Sequence, residues 1–256
     1  MPTFGTIIKK FEMKKTIYLV AAILLLFSCK KEDNKPADNP TVINSKTSTT
    51  LNIKYGEGVN DIDGTKYKTV IIGTQEWMGE NLNVSKYNDG TSIPNVINMD
   101  QWANVSVGAW SFHMDLSNGD KYGKLYNWFT IGKNINGNKN LCPTGWHIPS
   151  DAEWILLTDY LGGDTIAGGK MKELGITSWN SPNTSANNTS LFSALPGGYK
   201  DSDGWYASIG FSGFWWSSTE DSTGSCWARQ LNCAKSNIYR EKYDKKYGMS
   251  VRCLKD

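Results

Sequence analysis

Histidine is scarce in this 256-residue chain. The two present, His113 and His147, have no spaced partner of the kind a zinc site requires. Charge of one sign is missing as well: 27 lysines and arginines stand against 25 aspartates and glutamates, which gives no reason to expect nucleic acid. No nucleophile-elbow glycine pattern and no phosphate-cradling loop occurs. The long apolar run is near the N-terminus, Ile17 to Phe27, and falls short of the about 20 residues that span a membrane. The expectation is a protein that is not an enzyme and holds no resident cofactor.

What is present begins with an export signal. Residues 1–12 read as an upstream extension, because Met13 opens a complete signal over 13–28. Lys14 and Lys15 form its positive region and Ile17 to Phe27 its apolar core. Leu26-Phe27-Ser28-Cys29 resembles a bacterial lipobox, in which the cysteine is lipidated and becomes the mature N-terminus. An ordinary secretory signal with an incidental cysteine is the other reading. The stretch after Cys29 is polar and cannot bury enough surface to offset its ordering entropy, so 29–58 is expected to be anchor plus flexible tether. Glu32-Asp33 resembles surface-export signals of Bacteroidetes lipoproteins, although a solvated linker would carry the same pair. These features predict an outer-membrane, lipid-anchored protein displayed at the cell surface, with the membrane as one partner.

A folded domain is expected over 59–256. Tyr67, Thr69 and Ile71 alternate before Gly73-Thr74, and Gln75 to Met78 follow, which is a hairpin pattern. Asp61-x-Asp63-Gly64 opens like a calcium loop but lacks the closing glutamate, so a plain turn is expected. The best-signalled helix starts at Ser150, where Ser-x-x-Glu forms a capping box with Glu153. Trp154, Leu157 and Leu161 recur at helical spacing, Ile155 and Leu156 widen the apolar face, and Gly162-Gly163 ends the helix. A second helix is placed at about 164–174, weakened by Gly168-Gly169. Residues 177–190 read as a polar surface loop, and short strands follow from 192.

Six ordered blocks carry a resemblance: residues 63–94, 123–131, 141–154, 192–206, 213–220 and 248–256, including LCPTGWHIPSDAEW and GFWWSSTE. Together they resemble the Fibrobacter succinogenes major paralogous domain family across 61–256. That family is similar to the C-type lectin-like fold, so the resemblance implies an α+β domain of two helices with a small twisted antiparallel sheet. It also implies a disulfide between Cys142 and Cys253. Cys226 and Cys233 then either pair through a bend near Asn232 or remain two free thiols. A cysteine-dependent oxidoreductase related to formylglycine-generating enzymes would need one of these as a reactive thiol.

A lectin-like scaffold with 11 tryptophans directs attention to sugar stacking. Trp110, Trp179 and Trp205 lie in polar stretches and are the candidate ligand-binding residues. Asp201 and Asp203 are weak candidates for an ion, a turn explaining them equally well, and calcium is not indicated. The leading expectation is a surface lipoprotein that binds extracellular polysaccharide. The alternative is a non-catalytic protein-binding or structural adhesion module.

Overall fold

The computed structural model describes residues 51–113, 119–222 and 224–256. The extension, the export signal, Cys29 and the tether through Thr50 lie outside these residues. The described chain opens with β1 (Ile53–Tyr55), β2 (Val59–Asn60), β3 (Lys66–Tyr67), β4 (Thr69–Ile72) and β5 (Gln75–Met78). It continues through α1 (Met99–Ala103), β6 (Trp110–Ser111), α2 (Gly119–Tyr122), β7 (Leu125–Asn127), β8 (Trp146–His147), α3 (Asp151–Tyr160) and α4 (Ala167–Met171). Strands alone follow: β9 (Gly197–Lys200), β10 (Tyr206–Ile209), β11 (Ser212–Ser222), β12 (Ser225–Asn232), β13 (Ile238–Asp244), β14 (Gly248–Met249) and β15 (Leu254–Lys255).

This architecture corrects the expected C-type lectin-like α+β fold. Strand accounts for 33% of the described residues and helix for 13%, and the main sheet is open rather than small. Eight strands form it, in the order β13-β12-β11-β9-β14-β7-β6 with β10 added on β9. The reason lies in residues 212–244, where β11, β12 and β13 form a long antiparallel meander instead of short strands around helices. A five-stranded sheet, β1-β4-β5-β15-β8, carries the two ends of the described chain. Its β1 pairs with β4, Ile53 opposite Ile72, so the fold starts before the expected Val59.

The two larger cores are separated by strands whose consecutive residues face opposite ways, as a period of two requires, and a small third core holds Trp102, Val105 and Ala109. On β11, Trp216 enters one core and Trp215 the other; on β5, Met78 and Trp77 divide likewise. Cys253 and Leu254 repeat the pattern at the C-terminal end. The hairpin of β4 and β5 forms as expected, with Val70 opposite Trp77 across the Gly73-Thr74 turn.

α3 has its capping box: the Glu153 amide donates to Ser150 Oγ, and the Ser150 amide donates to Glu153 Oε2 at 2.7 Å. Trp154, Leu157 and Leu161 are buried, but Ile155 and Leu156 face solvent, so the apolar stripe is narrower than expected. α4 is shorter than the expected 164–174. Its glycines are explained by close backbone approach: a Cβ on Gly168 would lie 2.3 Å from Asn237 O, and one on Gly169 2.7 Å from Ser185 O.

Three buried cations tie loops to these cores. Lys172 Nζ donates to the carbonyls of Thr184, Asn232 and Lys235 at 2.8–3.0 Å. Lys200 Nζ donates to Val96 O, Ile97 O and Tyr206 Oη. Arg252 donates to Asn81 Oδ1 at 3.0 Å, to Ser193 O at 3.1 Å and to Phe192 O. Among the described residues none of the three forms an ion pair with a carboxylate. Carbonyl dipoles and aromatic faces hold their charge instead: Lys200 lies 4.6 Å from both the Trp102 and Tyr206 ring centroids.

Candidate functional site

The structure separates the three candidate tryptophans. Trp179 is fully buried, its indole N–H donating to Ala194 O at 2.9 Å. The loop around it turns its polar side chains outward and uses the tryptophan to fill a core. Trp110 is buried too, donating to Ile93 O at 2.9 Å and packed 5.1 Å from Phe112. Both are corrections: neither offers a face to a ligand, and with the lectin-like scaffold also gone the polysaccharide expectation loses its footing. Trp205 differs, with 63% of its surface exposed.

Asp201 shapes the turn that presents Trp205. Its Oδ1 accepts the amides of Asp203 at 3.0 Å and Trp205 at 2.8 Å. The Asp201 amide donates back to Trp205 O at 2.8 Å, and Gly204 closes the turn at φ +89°. The Asp201 carboxylate is thus a turn element. Asp203 is exposed beside it. No group of three histidines, cysteines or acids among the described residues is arranged to hold a metal. Asp61 likewise serves a turn, accepting from the Thr65 amide and from Tyr67 Oη.

Cys142 and Cys253 are joined in a disulfide across 111 residues. Cys226 and Cys233 are both free and buried, in different cores, so the second pair does not form. The chain does turn at Asn232, where β12 ends and the Lys235 amide donates to Asn232 O, but the turn comes too late to bring Cys233 back to the face of Cys226. Along a straight strand seven residues span about 20 Å and end on opposite faces. Burial pushes the Cys226 thiol up to about 12, the reverse of an activated nucleophile.

A polar cleft of about 570 Å³ lies beside the start of α3. There His147 Nδ1 is 2.6 Å from Asp256 Oδ1, and its Nε2 is 3.0 Å from Glu153 Oε1. Glu153 Oε2 in turn accepts from both the amide and the hydroxyl of Ser150. Burial alone would raise the Glu153 carboxyl, but the bonds from Ser150 and His147 outweigh it and hold it below its ordinary range. The series Asp256–His147–Glu153–Ser150 has the composition of a catalytic relay without its geometry. The hydroxyl meets a carboxylate rather than the imidazole, and it caps the helix. Another cleft, of about 650 Å³, lies elsewhere, between Tyr55–Gly58 and Lys66–Thr69. The hydroxyl of its Thr69 donates to Glu76 at 2.8 Å.

The remaining feature is an aromatic surface that sequence reading missed. Tyr199 on β9, Phe214 on β11, Tyr243 on β13 and Tyr247 before β14 form a closed ring of contacts. Successive centroids are 5.0, 5.9, 5.3 and 5.6 Å apart. Strand pairing assembles it: Tyr243 lies opposite Cys226, and Lys200 opposite Gly248, which sets Asp201 and its turn beside Tyr247. The three tyrosines are half-buried. Burial, then Tyr199, then Asp201, Asp244 and Asp203 raise the Tyr247 phenol, which places those three carboxylates around it. Tyr243 is pushed up to about 12 by burial and by Glu241 on the same strand face. Gly204 rests on Met99, so the Trp205 turn sits on the start of α1, next to exposed Ile97. The signal in the sequence was the repeated tyrosine at strand ends, which is readable only once the pairing of β9, β13 and β14 is known.

Comparison with known proteins gives one positive result. The family model described as Fibrobacter succinogenes major domain matches residues 70–255. No curated protein and no solved structure matches the chain.

Proposed function

This chain belongs to the Fibrobacter succinogenes major domain family, and from that premise we propose that it is a non-catalytic binding module, lipid-anchored at the cell envelope, that holds another protein. One observation carries this reading. Trp205 is exposed on a turn fixed by backbone and carboxylate bonds, beside a ring of four packed aromatics. A tryptophan has only two side-chain torsions to order on association, and such aromatics are enriched among the residues that dominate binding energy at protein interfaces. The committed state of the polar groups supports it further: His147 and Ser150 are tied into the cap of α3, and the free thiols are buried. The lipobox-like segment ending at Cys29 supports anchoring, and the polar stretch after it would let the domain reach a neighbour.

The test is native electrophoresis of envelope extracts carrying the full chain, its Trp205→Ala variant or its Cys29→Ala variant. The full chain is expected in a discrete complex larger than itself. Trp205→Ala should weaken that complex by at least about 2 kcal/mol, roughly 30-fold. Cys29→Ala should move the chain from the membrane to the soluble fraction. A complex indifferent to Trp205, or a chain that migrates alone, contradicts the binding reading.

A further inference from the structure

The aromatic ring is bordered by acids that the chain itself does not neutralise. Asp203, Glu241 and Asp244 are exposed, and Asp201 is partly so. Among the described residues none of the four has a lysine or arginine within ion-pair distance. Lys235 lines a shallow cleft with Glu241, and Lys200 and Asp201 act on each other electrostatically, but neither pair reaches ion-pair distance, and the other cations near the ring are engaged. Lys200 is buried on carbonyls, Lys245 pairs with Glu220, and Lys246 Nζ donates to Ala103 O. The surface therefore offers exposed Trp205 and the partly exposed rings of Tyr199, Tyr243 and Tyr247, with carboxylates beside them. Aromatic faces attract cations, and guanidinium or ammonium groups satisfy both features in one contact.

Resting on the protein-binding reading above, we infer that the occupant of this face is a lysine- and arginine-rich segment of a partner protein. Its cationic heads meet Asp203, Glu241 and Asp244 while their apolar stems lie on the tyrosines and Trp205. The same charge arrangement repels nucleic acid and acidic polymers, and it gives a neutral chain no electrostatic gain. Because the acids are exposed, binding should weaken as salt shortens the screening length.

The experiment is fluorescence anisotropy of labelled octa-arginine and octalysine on the purified full chain, with octaglutamate and a glycine–serine octapeptide as controls. Saturable binding of the cationic peptides alone is expected, several-fold weaker at 0.5 M than at 0.05 M salt. The pair Asp203→Lys with Glu241→Lys should reduce affinity at least tenfold, as should Trp205→Ala. The pair Asp159→Lys with Glu57→Lys, an equal change of charge at exposed sites on other surfaces, should leave it unchanged. If the first pair fails to fold, Asp203→Asn with Glu241→Gln must still lower affinity about threefold. Equal binding of all four peptides, or equal losses from both charge-reversed pairs, overturns the inference. Failure of the cationic peptides while Trp205→Ala still dissociates the native complex overturns this inference alone. If Trp205→Ala leaves that complex intact, the protein-binding reading falls with it.

Discussion

Lys172 is buried without a carboxylate, and three main-chain carbonyls take the place of one. Those carbonyls come from Thr184, Asn232 and Lys235, so one ammonium ties the 177–190 loop to the end of β12. Removing the charge while keeping the stem isolates its contribution. Lys172→Met should cost about 3 kcal/mol in urea denaturation, because buried carbonyls left unpaired cost about 1–3 kcal/mol each and some will find water. A loss below about 1 kcal/mol would show that the carbonyls are satisfied without it. Nothing in the sequence marks such a lysine: Lys172 lies in an apparently amphipathic stretch, where a solvated cation is the ordinary outcome. Trp179 misleads in the opposite direction, surrounded in sequence by serine and asparagine yet filling a core. Burial of a lone residue in a loop depends on what the loop folds over, and a sequence of local polarity does not contain that.

At the scale of elements, the start of α3 is the best-defined join in the molecule. Its N-terminal signal was legible because a capping box is local chemistry, complete within four residues. The clasp that follows was not, since its parts are 78 and 89 residues apart. Asp151 accepts from Arg229 on β12 at 2.8 Å and from Arg240 on β13 at 2.9–3.1 Å, joining the helix to the edge of the main sheet. Burial would raise the Asp151 carboxyl, but the bonds from Arg240 and Arg229 outweigh it and hold it below the usual 3.8. A carboxyl depressed in the folded state contributes stability above its unfolded value and loses that contribution as pH falls through its folded one. Wild type should therefore lose stability below about pH 4 more steeply than Asp151→Asn. At pH 7 the variant should be less stable by about 3 kcal/mol, since Arg229 stays buried without its charge partner. Chemical denaturation between pH 2.5 and 7 checks both; parallel curves for the two proteins would show that the clasp does not titrate.

For the whole molecule, the disulfide and the two sheets define the frame. Cys142–Cys253 closes a loop of 111 residues, a constraint on the unfolded chain worth about 4–5 kcal/mol in the chain-entropy account. The family and this bridge were both reachable from six ordered sequence blocks. The fold class was not, because resemblance brought with it the proportions of another architecture. Short strand signals from 192 onward were read as a small sheet, although β11 alone runs 11 residues and pairs along most of its length with β12. Of the three tryptophans singled out in the sequence, Trp205 alone is exposed. The aromatic ring beside it is assembled from β9, β11, β13 and the approach to β14, and only long-range pairing brings those together.

The measurement that bears most directly on this account is site-specific photo-crosslinking in intact cells. A photo-reactive phenylalanine analogue replaces Trp205 in one strain and Ile135, an exposed residue in a different loop, in another. A partner docked at Trp205 gives one discrete protein adduct from position 205, and none of that size from position 135. No adduct from position 205, or the same adducts from both positions, would contradict it.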